Sequence, residues 1–162
     1  GGYEAVPPEV VAARLNERLL AEIDTEHYFT LALAVWDEAS GRIGMVQAGH
    51  PFPAVQRVDG SVEFVGPGGP PIGLIDGVEF EGFEVRLNPG DRMLIYSDGI
   101  TECPDASGEQ LEDEGLEQIM TKLRNATGQE FLNDLDWELR RYAVTPDFAD
   151  DVSAVLIETR QS

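Results

Sequence analysis

The sequence predicts an α+β fold, with residues 1–162 forming a single domain. Three observations lead there. Apolar runs of strand length, separated by turn-forming clusters, lie between residues 29 and 96. Apolar residues recur at helical spacing near the start, at Val11, Leu15, Leu19 and Ile23, and again between Leu116 and Tyr142. A last apolar run, Val152 to Ile157, follows the acidic pair Asp150-Asp151.

The elements follow in order. Pro7 and Pro8 stand where a helix tolerates proline, and Val11, Leu15, Leu19 and Ile23 form its packing stripe. Phe29 to Trp36 is apolar on both faces, which predicts a central strand. Arg42 to Ala48 is a second strand, expected to pair antiparallel with the first. Ala48-Gly49-His50-Pro51-Phe52-Pro53 breaks it. Ala54 to Val58 and Ser61 to Val65 flank Asp59-Gly60, a hairpin signal. Gly66-Pro67-Gly68-Gly69-Pro70-Pro71 is a rigid crossing. It lacks the Lys-Ser/Thr ending and the helix that a phosphate-cradling loop needs. Phe83, Val85 and Leu87 alternate with Glu84 and Arg86 as in a half-buried strand. Leu116, Ile119 and Leu123 predict a helix. Thr127 to Glu130 resembles a capping box before a second stripe at Leu132, Leu135, Leu139 and Tyr142.

Composition narrows the function. A hydrophobic fraction of 42% supports a sizeable core. No apolar run reaches membrane-spanning length, and nothing at the N-terminus reads as a signal peptide, so a cytoplasmic setting is expected. A formal charge of −20 repels nucleic-acid phosphates and anionic membranes. It suits basic partners and hard divalent cations. One cysteine, Cys103, excludes an internal disulfide, and with two histidines it excludes a zinc site built mainly from those residues. Cys103 reads as a bystander, His50 as structural, His27 as surface, and Trp36 and Trp137 as core.

The chemistry concentrates at Asp91 to Glu102. Met93 to Tyr96 is a buried-strand run that stops at Ser97-Asp98-Gly99. A carboxylate therefore sits where a strand ends, and the glycine lets the backbone turn sharply or take a positive φ. Asp150-Asp151 precedes another strand. If the two strands are antiparallel neighbours, these acids meet at one sheet end. Carboxylates about 4 Å apart repel by roughly 4 kcal/mol at an effective dielectric near 20, so a proton or a cation must sit between them. Oxygen ligands favour Mg²⁺ or Mn²⁺.

The motif order resembles the metal-dependent PPM (PP2C-type) Ser/Thr phosphatases, and within them the bacterial SpoIIE/RsbU-like branch. The matching pieces are Tyr28-Phe29-Thr30-Leu31, Ala48-Gly49-His50-Pro51, Gly69-Pro70-Pro71-Ile72-Gly73-Leu74 and Leu87-Asn88-Pro89-Gly90-Asp91. Tyr96-Ser97-Asp98-Gly99-Ile100-Thr101-Glu102 and Asp150-Asp151-Val152-Ser153-Ala154-Val155 complete the set. The resemblance implies a sandwich of two antiparallel β-sheets flanked by helices, with a two-metal Mn²⁺ or Mg²⁺ site at one end. It makes Asp98 and Asp150 metal ligands. Gly99 and Asp151 lie around them, Asp151 as a supporting acid or a ligand in Asp150's place. The attacking group is a metal-bound water, with no further catalytic side chain. The implied substrate is a phosphoserine or phosphothreonine on a regulatory protein such as an anti-sigma-factor antagonist, with the domain acting as the output of a response regulator or sigma-factor regulator. A homodimer is left open.

One departure is expected to matter. The family's earlier segment carries a metal-bridging Asp before a Gly-His-Gly turn, and no such segment precedes Tyr28. The chain therefore reads as the C-terminal larger part of such a domain, with an incomplete two-metal centre. Two alternatives stand beside the phosphatase: a catalytically inactive adaptor of the same fold that binds a regulator, and an acidic domain that binds a cation for stability.

Overall fold

In the computed structural model, residues 5–22, 27–143 and 151–159 are described. The described elements are three helices and two antiparallel sheets, an α+β architecture. They divide between two compact units.

The first unit comprises Gly1–Phe52 and Val65–Leu87. It holds helix α1 (Pro8–Glu22) and strands β1 (Leu31–Asp37) and β2 (Arg42–Ala48). Its third strand is labelled β5 (Gly82–Arg86), because β3 and β4 lie between in sequence. β2 is central, with β1 and β5 antiparallel on either side. Ala12, Val46, Ala48, Ile72 and Phe80 form its core. The Gly-Pro crossing is held by Gln47, whose side chain is fully buried. Its Nε2 donates to the carbonyls of His50 (3.3 Å) and Pro51 (3.0 Å), and its Oε1 accepts from Gly68 N at 3.3 Å. At Gly66, with φ +117°, a Cβ would stand 1.8 Å from that Oε1, so no side chain fits there.

Three expectations fail in this unit. β1 is an edge strand rather than a central one, and Val35 and Trp36 are 39% and 41% exposed. An apolar run shows that a strand has something to bury, and says nothing of how many neighbours it gains. Trp36 is accordingly not core. The buried face of α1 runs through Pro8, Ala12 and Asn16, while Leu15 is 38% exposed. Asn16 is buried because both ends of its amide are used: Nδ2 donates to Ile75 O at 2.9 Å and Oδ1 accepts from Gly73 N at 2.7 Å. Ile23 lies outside the described residues.

The second unit comprises Pro53–Phe64 and Asn88–Ser162. Its strands are β3 (Ala54–Gln56), β4 (Val62–Phe64), β6 (Arg92–Tyr96) and β7 (Ala154–Glu158), in the order β4-β3-β6-β7. Helices α2 (Glu112–Lys122) and α3 (Gly128–Ala143) share the core with them. Met93, Leu94, Tyr96, Ile100, Leu116, Met120, Phe131 and Leu139 are its largest fully buried side chains. The predicted stripe of α2 is buried as expected. Trp137 is not: it is 56% exposed, with Lys122 and Arg141 over its ring at 5.8 and 5.1 Å. The buried polar position on α3 is Glu138, which pairs with both cations.

Arg92 ties sheet and helices of this unit together. It is 5% exposed, and its guanidinium stacks 4.2 Å from the Phe131 ring. It donates to Gln56 Oε1, to Leu123 O (3.0 Å) and to Ala126 O (2.6 Å), and lies 3.5 Å from Glu158 Oε1. Leu123 and Ala126 fall where α2 ends and α3 has not begun, so the cation occupies the place that favours positive charge. The other carboxylate oxygen of Glu158 accepts from Gly128 N at 2.7 Å. The acid at the start of α3 thus comes from β7, where the sequence suggested Glu130.

Two outcomes follow. Arg92→Met keeps the aliphatic stem but leaves the helix carbonyls and Glu158 without their donor. It should cost about 2–4 kcal/mol in urea unfolding; a loss under about 0.5 kcal/mol would mean that water replaces the guanidinium. Cys103 is buried, and burial pushes its thiol above the ordinary value. At pH 8 the folded chain should therefore react with a thiol reagent far more slowly than the urea-unfolded chain, and equal rates would contradict this.

Candidate functional site

β6 and β7 are antiparallel neighbours, with Tyr96 opposite Ala154. The ladder extends one step further, Ser97 N donating to Ser153 O at 2.9 Å. The chain therefore leaves β6 toward Asp98 at the sheet end where residues 151–153 enter β7. Asp98 and Asp151 are both exposed there. Asp150 lies outside the described residues.

A turn after the strand fixes Asp98. Its carbonyl accepts from Glu102 N at 2.8 Å and from Thr101 Oγ1 at 3.3 Å, a single helical turn. Ile100 and Cys103 anchor the turn in the core at 0% and 3% exposure, which leaves Asp98 and Glu102 outward. Gly99 is not among the glycines of positive φ. Its role is close approach: a Cβ would stand 2.5 Å from Asp151 O. The serine before Asp98 reinforces the contact. Ser97 Oγ donates to Asp151 O at 3.0 Å and accepts from Ser153 N at 2.9 Å.

Acids line one flank. Thr101, Glu102, Gln110, Glu112, Asp113 and Glu114 surround a cavity of about 340 Å³. Glu112 N donates to Thr101 O at 2.7 Å, joining this rim to the turn. Tyr96 Oη donates to Asp113 Oδ1 at 3.3 Å. Burial, and then the charge of Asp113, push the phenol far above its ordinary value, so it remains a neutral donor.

The donors at this end are hard oxygens of the kind Mg²⁺ and Mn²⁺ take. Among the described residues, no group of three or more His, Cys, Asp or Glu side chains could hold a metal ion. The described residues thus bring Asp98 and Asp151, both exposed, to one sheet end without by themselves making up a metal cluster. His50 and His27 belong to the first unit. His50 is half-buried, with Nδ1 3.1 Å from Pro51 O, and His27 is exposed. Sequence reasoning missed the Ser97 clamp. The one available signal was a hydroxyl residue at a strand end, a position where such side chains bond to backbone.

Comparison with known proteins agrees with this fold. The model of the family "Stage II sporulation protein E (SpoIIE)" matches residues 3–160. The chain is 33% identical over 108 residues to the phosphoserine phosphatase RsbP of Bacillus subtilis, covering 64% of this chain and 27% of RsbP. It is 23% identical over 131 residues to the phosphoserine phosphatase RsbU of the same organism, covering 80% of this chain and 39% of RsbU. The chain therefore spans less than half the length of these curated relatives. The phosphatase domain of SpoIIE from Bacillus subtilis, in crystals presoaked with Mn, superposes with a TM-score of 0.73 at 25% identity, covering 94% of this chain and 66% of that one. Among the described residues, no helix is long and apolar enough to cross a membrane. With the family model matched along nearly its whole length, the chain belongs to the SpoIIE family of PP2C-type phosphatase domains.

Proposed function

We propose that the chain is the C-terminal larger part of a metal-dependent protein Ser/Thr phosphatase domain. In this reading the domain is the output of a bacterial signalling protein, and it hydrolyses phosphoserine or phosphothreonine on a regulatory partner such as an anti-sigma-factor antagonist. The observation that carries the reading is the β6–β7 pairing, which sets Asp98 and Asp151 at one sheet end in a chain of a phosphatase family. Asp98, with Asp150 and Asp151, would hold Mn²⁺ or Mg²⁺. When bound, such ions polarise a phosphoryl oxygen and supply hydroxide near neutral pH. The chain's own part is to hold acids where water alone would let them separate. Ile100 anchors the Asp98 turn, and Gly99 admits the 151 backbone. The acidic rim repels a second phosphate and favours a substrate whose flanks are not anionic.

A second reading, the inactive adaptor, draws on one observation: no described cluster gathers three metal-binding side chains. Assay separates the two. The full-length protein should release phosphate from a phosphoserine peptide only with Mn²⁺ or Mg²⁺ present. Asp98→Asn should lower the rate by at least about a hundredfold with an unchanged unfolding curve. Tight binding of the phosphorylated partner without turnover would favour the adaptor, and full activity in Asp98→Asn would remove Asp98 from the site. Gly99→Ala should cost about 1–3 kcal/mol by forcing Asp151 O away, read by urea unfolding. A neutral result would show that the contact yields easily.

A further inference from the structure

We infer that Ser97 is a positioning residue, whose hydroxyl fastens the 151–153 backbone to the end of β6 and so sets where Asp151 stands relative to Asp98. The inference rests on the proposed metal site. A serine hydroxyl has one donor hydrogen and two acceptor lone pairs. Here the hydrogen goes to Asp151 O at 3.0 Å, and a lone pair takes Ser153 N–H at 2.9 Å. The Ser97 peptide N–H is used separately, on Ser153 O at 2.9 Å.

These bonds do what a backbone rung cannot. The regular pairing ends at Tyr96 opposite Ala154. Beyond it, Asp98 turns into the core-anchored turn while the partner strand continues back through residues 153 and 151. With no clamp, the two backbones would diverge where their acids must converge. Ser97 reaches across with its side chain and holds Asp151 by its carbonyl, which leaves the Asp151 carboxylate outside the clamp. Gly99 removes the side chain that would keep Asp151 O away. Serine and glycine thus act on one carbonyl from either side of Asp98.

The size of the residue matters as well. Ser97 is half-buried. A bare methyl fills the same space and loses both bonds, whereas threonine keeps the hydroxyl. Groups that orient metal ligands typically change metal affinity ten- to a hundredfold when removed.

The test uses the full-length protein and two readouts. Mn²⁺ is titrated by calorimetry into the wild type and into Ser97→Ala, Ser97→Thr and Asp98→Asn. In parallel, amide exchange of Ser153 is followed by NMR without metal. Ser97→Ala should weaken Mn²⁺ binding on the order of tenfold and speed exchange at Ser153, while Ser97→Thr restores both. Wild-type Mn²⁺ affinity in Ser97→Ala, beside a loss in Asp98→Asn, would overturn the role of Ser97 and leave the metal site standing. Absent Mn²⁺ binding in the wild type, or undiminished binding in Asp98→Asn, would overturn the metal site and with it the positioning role. Unchanged protection of Ser153 in Ser97→Ala would overturn the clamp whatever the metal does.

Discussion

The second unit depends on β6 being paired on both sides, with β3 along one edge and β7 along the other. A strand in that position has little freedom. Its side chains are packed, its backbone groups are spent on neighbours, and its ends are fixed to within a rung. Asp98 gains precision from this, because the residue lies just past the last rung of a strand paired on both sides. An acid on a surface loop would wander by several ångströms. An acid anchored by Ile100 beneath and Tyr96 before it does not.

The two ends of β6 are handled by opposite electrostatics. At its start a buried guanidinium gathers the Leu123 and Ala126 carbonyls and the Glu158 carboxylate. Just before it, Asp91 is 2% exposed and accepts from Val58 N, Asn88 N and Arg57. Here charges are satisfied inside the protein and contribute rigidity. At the other end Asp98, Glu102, Glu112 and Asp151 are exposed. The strand therefore joins a neutralised foundation to an electronegative rim, and the rim is the end suited to attract a cation.

Much of this was legible in the sequence because turn chemistry punctuates it. Asn88-Pro89-Gly90, Asp59-Gly60 and the Gly-Pro crossing placed strand ends to within a residue or two, and helical spacing placed α2 and α3. The pairing of β6 with β7 was legible only as a condition, since pairing between distant strands leaves no local mark. What stayed hidden had particular causes. Asn16 is buried because two backbone groups far along the chain need its amide. Trp137 lies outside, with Lys122 and Arg141 over its ring. Apolarity measures the gain from burial, and the topology decides which residues receive it.

The Ser97–Asp151 bond joins residues 54 positions apart, and both helices of the second unit lie in the interval. During synthesis, the outer edge of β6 must therefore wait while α2 and α3 emerge. An apolar strand with one bare flank is then exposed to whatever strand it meets first. The late partner that completes the acidic rim also seals this flank, so a nascent chain acquires its electronegative end and its protection from aggregation in one docking event.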